Sequence, residues 1–107
     1  MNPYYDCEKC GLDLVGEIDY SSGSYEFDTR VVWKRKKDGR LLTARDAGCS
    51  CPTPFESHDP KKDLEDITNE YESYLRTEWK DAPKYEREYV SLADLDALIE
   101  QCRAALA

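Results

Sequence analysis

The sequence predicts an α+β fold, in which a three-stranded antiparallel meander packs against two or three helices. Three observations predict it. Residues 24–36 alternate as in a strand, the dipeptide Asp38-Gly39 is typical of a tight hairpin turn, and helical spacing of apolar residues begins only after residue 59. The 107 residues are interpreted as one domain, with the meander and a Cys/Pro loop over about residues 11–58 and a helical half over about residues 59–107.

The strands are predicted from period-two alternation. The first covers about Leu12 to Tyr20, with Leu14, Ile18 and Tyr20 on one face, and Gly16 indicates a bulge or a close backbone approach. The second is predicted to be half-buried and the third to cover Arg40 to Asp46. In the second strand, one face carries Tyr25, Phe27, Thr29, Val31 and Trp33, and the other carries Glu26, Asp28, Arg30 and Lys34.

The helical half begins with Asp59-Pro60, which has the residue types of an N-cap and a first helical position. Apolar residues recur at helical spacing from Leu64 to Trp79, although Thr68 is also a suitable cap for a separate helix. For residues 85–90, the sequence leaves two interpretations, an extended segment or a loop. Ser91 and Asp94 have the spacing of a capping box, which predicts a last helix.

The net charge of −8 is concentrated in the helical half, which carries −6, against −2 for residues 1–58. An acidic half repels nucleic acid on average and suits a basic protein partner, although it also serves solubility alone. We see no signal-peptide pattern and no apolar stretch of the roughly 20 residues that span a bilayer. We therefore expect a cytoplasmic protein without a membrane or nucleic-acid partner, whose five cysteines are reduced or bind metal.

The Cys/Pro loop, Asp46–Glu56, separates the two halves of the chain. Pro52 and Pro54 stiffen it by fixing their own φ angles. Such a loop is either a structural staple or a binding surface, and the sequence leaves both roles open. As a binding surface, its candidate residues are Asp46, Cys49, Cys51, Phe55 and Glu56.

A zinc site made of Cys7, Cys10, Cys49 and Cys51 is the alternative hypothesis for the cysteines, because two close cysteine pairs resemble four-thiolate structural zinc. Sheet geometry opposes it. In a meander, Cys10 and Cys49 fall at opposite ends of the sheet, roughly 20–30 Å apart. Without zinc, we expect no cofactor, and the cysteines pack as small apolar side chains.

No catalytic constellation is visible: there is no P-loop, dinucleotide fingerprint, zinc-protease motif or nucleophile elbow. His58 is the only histidine, and nothing assembles a triad around it and the loop cysteines. The basic run Lys34–Lys37 lies at a predicted hairpin tip, without the interleaved aromatics of a nucleic-acid site. We predict no catalytic residues and a protein that is not an enzyme.

Four segments carry a resemblance to a known family: Val15–Tyr20, Gly23–Thr29, Val32-Trp33 and above all the loop Asp46–Glu56 with its Gly-Cys-Ser-Cys-Pro sequence. Over about residues 11–67, the chain resembles an uncharacterised family of small proteins encoded by actinobacteriophages. The resemblance implies a phage protein in the host cytoplasm, but it implies no activity. Together with the lack of a catalytic constellation and the acidic helical half, it favours a non-catalytic interaction protein that binds a host protein. The resemblance also implies that the loop cysteines, but not Cys7 and Cys10, belong to the family pattern. A zinc-stabilised binding module and an acidic DNA mimic are the alternatives.

Overall fold

The computed structural model describes residues 2–23, 25–49 and 54–107. Its sheet has the order β1-β2-β3-β4 with antiparallel neighbours, so the α+β class is confirmed and the sheet has four strands rather than three. The elements are β1 (Leu12–Asp19), β2 (Glu26–Arg35), β3 (Leu41–Cys49), β4 (Glu65–Asp66), α1 (Tyr71–Asp81), α2 (Lys84–Arg87) and α3 (Leu92–Leu106).

The short strand β4 replaces the start of the predicted helix. Its two residues pair with Leu42 and Thr43 of β3, and the next backbone N–H, of Ile67, donates to the Leu41 carbonyl at 2.9 Å. Ile67 is fully buried there. The prediction of a helix from residue 59 is therefore wrong for residues 59–70. There, the pairing of β4 with β3 and the burial of Ile67 outweigh the helical spacing of the apolar residues. α1 begins only at Tyr71.

A β-bulge in β1 changes which face its side chains occupy. Leu14 pairs with Trp33, but Gly16 pairs with Val32, so Val15 is the extra residue. Leu14 therefore lies on the Trp33 face and Ile18 on the opposite face. Of the two alternatives predicted for Gly16, a bulge or a close backbone approach, the bulge is confirmed. The prediction that Leu14 and Ile18 share one face is wrong.

Both faces of β2 are covered, so the prediction of a half-buried strand is wrong. Val31 and Trp33 pack with Phe55, which lies near the end of the Cys/Pro loop. Val32, on the other face, joins the core beneath the helices. Tyr4 and Phe55 form a third layer, which covers the face of the sheet that the helices leave uncovered.

The last helix begins as predicted. The Asp94 backbone N–H donates to Ser91 Oγ, and the Ser91 N–H donates to an Asp94 carboxylate oxygen, both at 3.1 Å. This reciprocal capping box confirms the sequence pattern. The buried stripe of α3 packs mainly on β1 and contains Leu95, Leu98, Ile99 and Cys102, whereas Leu92 and Leu106 are exposed.

Candidate functional site

The Cys/Pro loop is fastened to the core at its ends. Phe55 is fully buried with φ of 61°, and its backbone N–H donates to Asp46 Oδ2 at 2.7 Å. Its ring stacks on Tyr4 at 5.7 Å and meets the edge of Trp33 at 5.6 Å between centroids. Two of the predicted binding residues, Asp46 and Phe55, thus hold the fold together.

The other predicted loop residues are placed less completely. Cys49 ends β3 opposite Glu26, and Glu56 is exposed. Cys51 lies outside the described residues. A binding role for the loop, through Glu56 and the two cysteines, stays a prediction.

The zinc hypothesis depends on bringing two cysteine pairs together. Cys7 and Cys10 lie in the turns before β1, at the end of the sheet where Leu12 pairs with Arg35. Cys49 pairs with Glu26 at the other end of β2, about 30 Å away by strand rise. In the part of the chain that the structure describes, no group of three or more His, Cys, Asp or Glu side chains is placed to hold a metal ion. Since Cys51 is not described, zinc stays an alternative hypothesis.

The most distinctive surface is centred on two tyrosines at α2. Tyr85 is 66% exposed and Tyr89 is 50% exposed. The opposite side of this segment is held by Trp79, whose Nε1–H donates to the Val90 carbonyl at 2.8 Å and whose ring lies 5.5 Å from the Arg87 guanidinium carbon. Because those contacts occupy the inner side, the two tyrosine rings remain at the surface.

Tyr89 lies between two clefts, of about 330 and 350 Å³. The first runs between β1 and α3, and the second lies at the ends of β2 and β3. No lysine or arginine occurs among the described residues that line them. Six acids line the two clefts, and one of them, Asp28, is paired with Arg30 and Arg45. The other five, Glu17, Asp19, Glu26, Glu86 and Asp94, together with Tyr85 and Tyr89, are called the acidic tyrosine surface below.

The five carboxylates of the acidic tyrosine surface form no ion pair with any described residue. Their hydrogen bonds go to neutral groups, as when Glu17 accepts from the Tyr4 hydroxyl at 3.1 Å and Asp19 accepts from Ser21 Oγ at 2.7 Å. Elsewhere, Asp66 accepts from Arg40 Nε at 2.7 Å, and that bond is the largest cause lowering the pKa of Asp66. The negative charge of these five carboxylates is therefore not balanced by an ion pair with any described residue.

Tyr20 lines the second cleft from below. Its side chain is buried, and its hydroxyl has no hydrogen-bond partner among the described residues. Burial raises the pKa of Tyr20 to about 12, although the Arg30 guanidinium, 4.2 Å from the ring centroid, acts in the opposite direction. A buried hydroxyl without a hydrogen-bond partner costs folding free energy.

A third cleft, of about 530 Å³, lies between the β2–β3 pair and the helices α1 and α2. Arg30 and Arg45 line it and face each other across the two strands. Asp28 Oδ1 accepts from both, at 2.5 Å from Arg30 Nη1 and 3.3 Å from Arg45 Nε. Glu78 accepts from Arg30 Nε at 3.5 Å, and burial raises the pKa of Glu78 in spite of that contact.

Sequence reasoning missed both the acidic tyrosine surface and the arginine pair. Tyr85 and Tyr89 lie in the segment predicted to be either extended or a loop, and that prediction is wrong for residues 85–87, which belong to the helix α2. The eight tyrosines of the chain were an available signal, because tyrosine is enriched at interfaces. Arg30 and Arg45 meet only through strand register.

Residues 1–105 match a family described as a domain of unknown function, DUF7574. The chain belongs to this family. The match includes the helical half, beyond the range of about 11–67 over which the resemblance was noted, and so covers the acidic tyrosine surface. Searches of the curated proteins and of the solved structures returned no match. No helix in the described residues is long and apolar enough to cross a membrane.

Proposed function

We propose that this DUF7574 protein is a non-catalytic binding module, whose acidic tyrosine surface binds a lysine- and arginine-rich segment of another protein. The observation that carries the proposal is the set of five carboxylates without ion pairs around the exposed Tyr85 and Tyr89. Tyrosine supplies a large contact area at low entropic cost and is enriched among the residues that dominate binding energy. Carboxylates and ring faces both attract cationic side chains.

The biological setting is part of the proposal. The resemblance of the Gly48–Pro52 sequence to small actinobacteriophage proteins supports a phage product that acts in the cytoplasm of its host. A basic host protein is then the expected partner. The absence of a catalytic motif in the sequence supports binding rather than turnover.

The experiment is native mass spectrometry of the tagged protein recovered from nuclease-treated host lysate, followed by binding assays with the purified partner. There are two test variants, each with two substitutions. One carries Tyr85→Ala and Tyr89→Ala, and the other carries Glu17→Gln and Glu86→Gln. Matched controls are Tyr25→Ala, whose side chain is 80% exposed, and Glu88→Gln, an exposed acid; neither residue lines the two clefts.

We expect one stoichiometric partner that has a basic segment. The wild type and both controls should bind it equally well, and both test variants should bind it at least tenfold more weakly. Binding by the wild type should weaken as the salt concentration rises. Equal affinity for the test variants, or a partner without a basic segment, would contradict the proposal. Competition by DNA for a nucleic-acid-binding partner would favour the DNA mimic. A mass increase of one zinc ion would favour the zinc-stabilised module.

A further inference from the structure

The arginine-lined cleft, with Arg30 and Arg45 in its lining, differs from the acidic tyrosine surface and shares only Glu86 with it. We propose that it binds a small ligand that carries one carboxylate and a cationic side chain, the chemistry of a basic amino acid. The carboxylate is received by Arg30 and Arg45, and the cation by the acidic residues of the α1 and α2 wall. The inference does not depend on the proposed protein partner.

The arginine pair is the part of the cleft that receives the carboxylate of the ligand. Like charges directly opposite each other on antiparallel strands destabilise a sheet, yet Arg30 and Arg45 are cross-strand partners and share one oxygen of Asp28. Arg30 is almost fully buried, and its Nη2 has no hydrogen-bond partner among the described residues. Guanidinium groups with free donors bind carboxylates through charge-assisted hydrogen bonds.

The opposite wall of the cleft is the part that receives the cation of the ligand. Four acids of α1 and α2, or next to them, line the cleft, against two arginines. Of these acids, only Glu78 has an ion pair with a described residue. A lining with excess negative charge disfavours a dianion such as phosphate and favours a ligand with a net positive charge. The four acids are Glu70, Glu78, Asp81 and Glu86.

The volume and the apolar surface of the cleft also match such a ligand. The volume of about 530 Å³ falls within the usual range of small-molecule sites, roughly 300–1,000 Å³. Tyr74, Ala82 and Pro83 add apolar surface to the lining, suited to the aliphatic stem of a lysine or arginine. A basic amino acid therefore matches the cleft in charge, polarity and volume.

The test is a titration of the full chain with L-arginine, followed by amide NMR shifts and repeated with agmatine, which lacks the carboxylate. The test variant is Arg45→Gln, because Arg45 is exposed and its replacement leaves the core intact. Arg40→Gln is the control, since Arg40 pairs with Asp66 outside the cleft.

We expect saturable shifts in the amides of the cleft, with binding about tenfold weaker or more for agmatine and for Arg45→Gln. Arg40→Gln and the Tyr85→Ala, Tyr89→Ala variant should bind L-arginine as the wild type does, which separates this site from the acidic tyrosine surface. Equal binding of agmatine, unchanged binding by Arg45→Gln, or shifts spread over the whole surface would overturn the inference.

Discussion

The backbone N–H of Phe55 donates a 2.7 Å hydrogen bond to the carboxylate of Asp46, nine residues earlier in the chain. The bond closes the Cys/Pro loop at its base and holds Phe55 in the left-handed region, with φ of 61°. Such a conformation is uncommon for a bulky residue and persists only where the surroundings impose it. Here the ring of Phe55 is packed against Trp33 on the sheet.

Loss of the Asp46 carboxylate should destabilise the fold. Asp46→Ala is expected to lower the free energy of unfolding by about 1.5–3 kcal/mol, since it removes a hydrogen bond to a charged acceptor. Urea denaturation followed by tryptophan fluorescence measures this. Asp46→Asn, which keeps an acceptor oxygen, should lose less. Equal stability of the wild type and Asp46→Ala would show that packing alone holds the loop.

The Trp33 and Phe55 rings should be energetically coupled. Each is fully buried, so Trp33→Ala and Phe55→Ala should each cost about 3–5 kcal/mol. Their edge-to-face contact predicts a coupling of about 0.5–1.5 kcal/mol in a double-mutant cycle. Tyr25→Ala is the control and should change stability by less than about 0.5 kcal/mol. A near-native melting temperature for Trp33→Ala would refute the packing described for β2.

Gly16 should not tolerate a side chain. A Cβ atom there would lie 2.4 Å from Gln101 Oε1 and 2.8 Å from Leu98 Cδ1. Gly16→Ala is therefore expected to cost about 1–3 kcal/mol by overpacking. The exposed Gln101 can move, so the cost should be smaller in a Gln101→Ala background, and the contact with buried Leu98 should account for the rest. Thermal unfolding of the four proteins tests this, and an additive result would argue against the Gln101 contact.

Removal of the Tyr20 hydroxyl should stabilise the protein. Because the hydroxyl is buried without a described partner, Tyr20→Phe should raise the free energy of unfolding by about 1 kcal/mol at neutral pH. If Tyr20→Phe is instead clearly less stable, then the hydroxyl has a partner in solution.

The same substitution should change the alkaline behaviour. The folded pKa of Tyr20 is about 12, against about 10 for an unfolded tyrosine. Between these values the folded state keeps a proton that the unfolded chain releases, so stability present below pH 10 is lost as the pH rises. Urea titrations at pH 9, 10 and 11 should show a shallower loss for Tyr20→Phe. An unchanged slope would mean that Tyr20 titrates as an exposed residue.

Local patterns predicted the parts of the fold that depend on neighbours in the sequence. The capping box at Ser91 and Asp94 needs only residues three positions apart, and it was predicted correctly. The long alternation of β2 and the Asp38-Gly39 turn predicted the central hairpin. The bulge at Gly16 was also predicted, because glycine in a strand has few other causes.

Longer-range contacts decided the rest. β4 exists because residues 65–66 pair with Leu42 and Thr43, about twenty residues away along the chain. The two-sided burial of β2 depends on Phe55 returning across the sheet, and no periodicity in β2 encodes that return. For the same reason, the arginine pair and the acidic tyrosine surface were not predicted: each joins residues from separate elements.

The sequence by itself determined the α+β class, the central hairpin, the last helix and the acidic character of the helical half, since these follow from local spacing and composition. The tertiary structure alone decided which carboxylates are paired. Asp66 has Arg40 within 2.7 Å, whereas Glu17 and Glu86 form no ion pair with a described residue, although all three are acids of the same chain. Coulomb energy depends on separation in space and on burial, and neither can be obtained from position along the sequence.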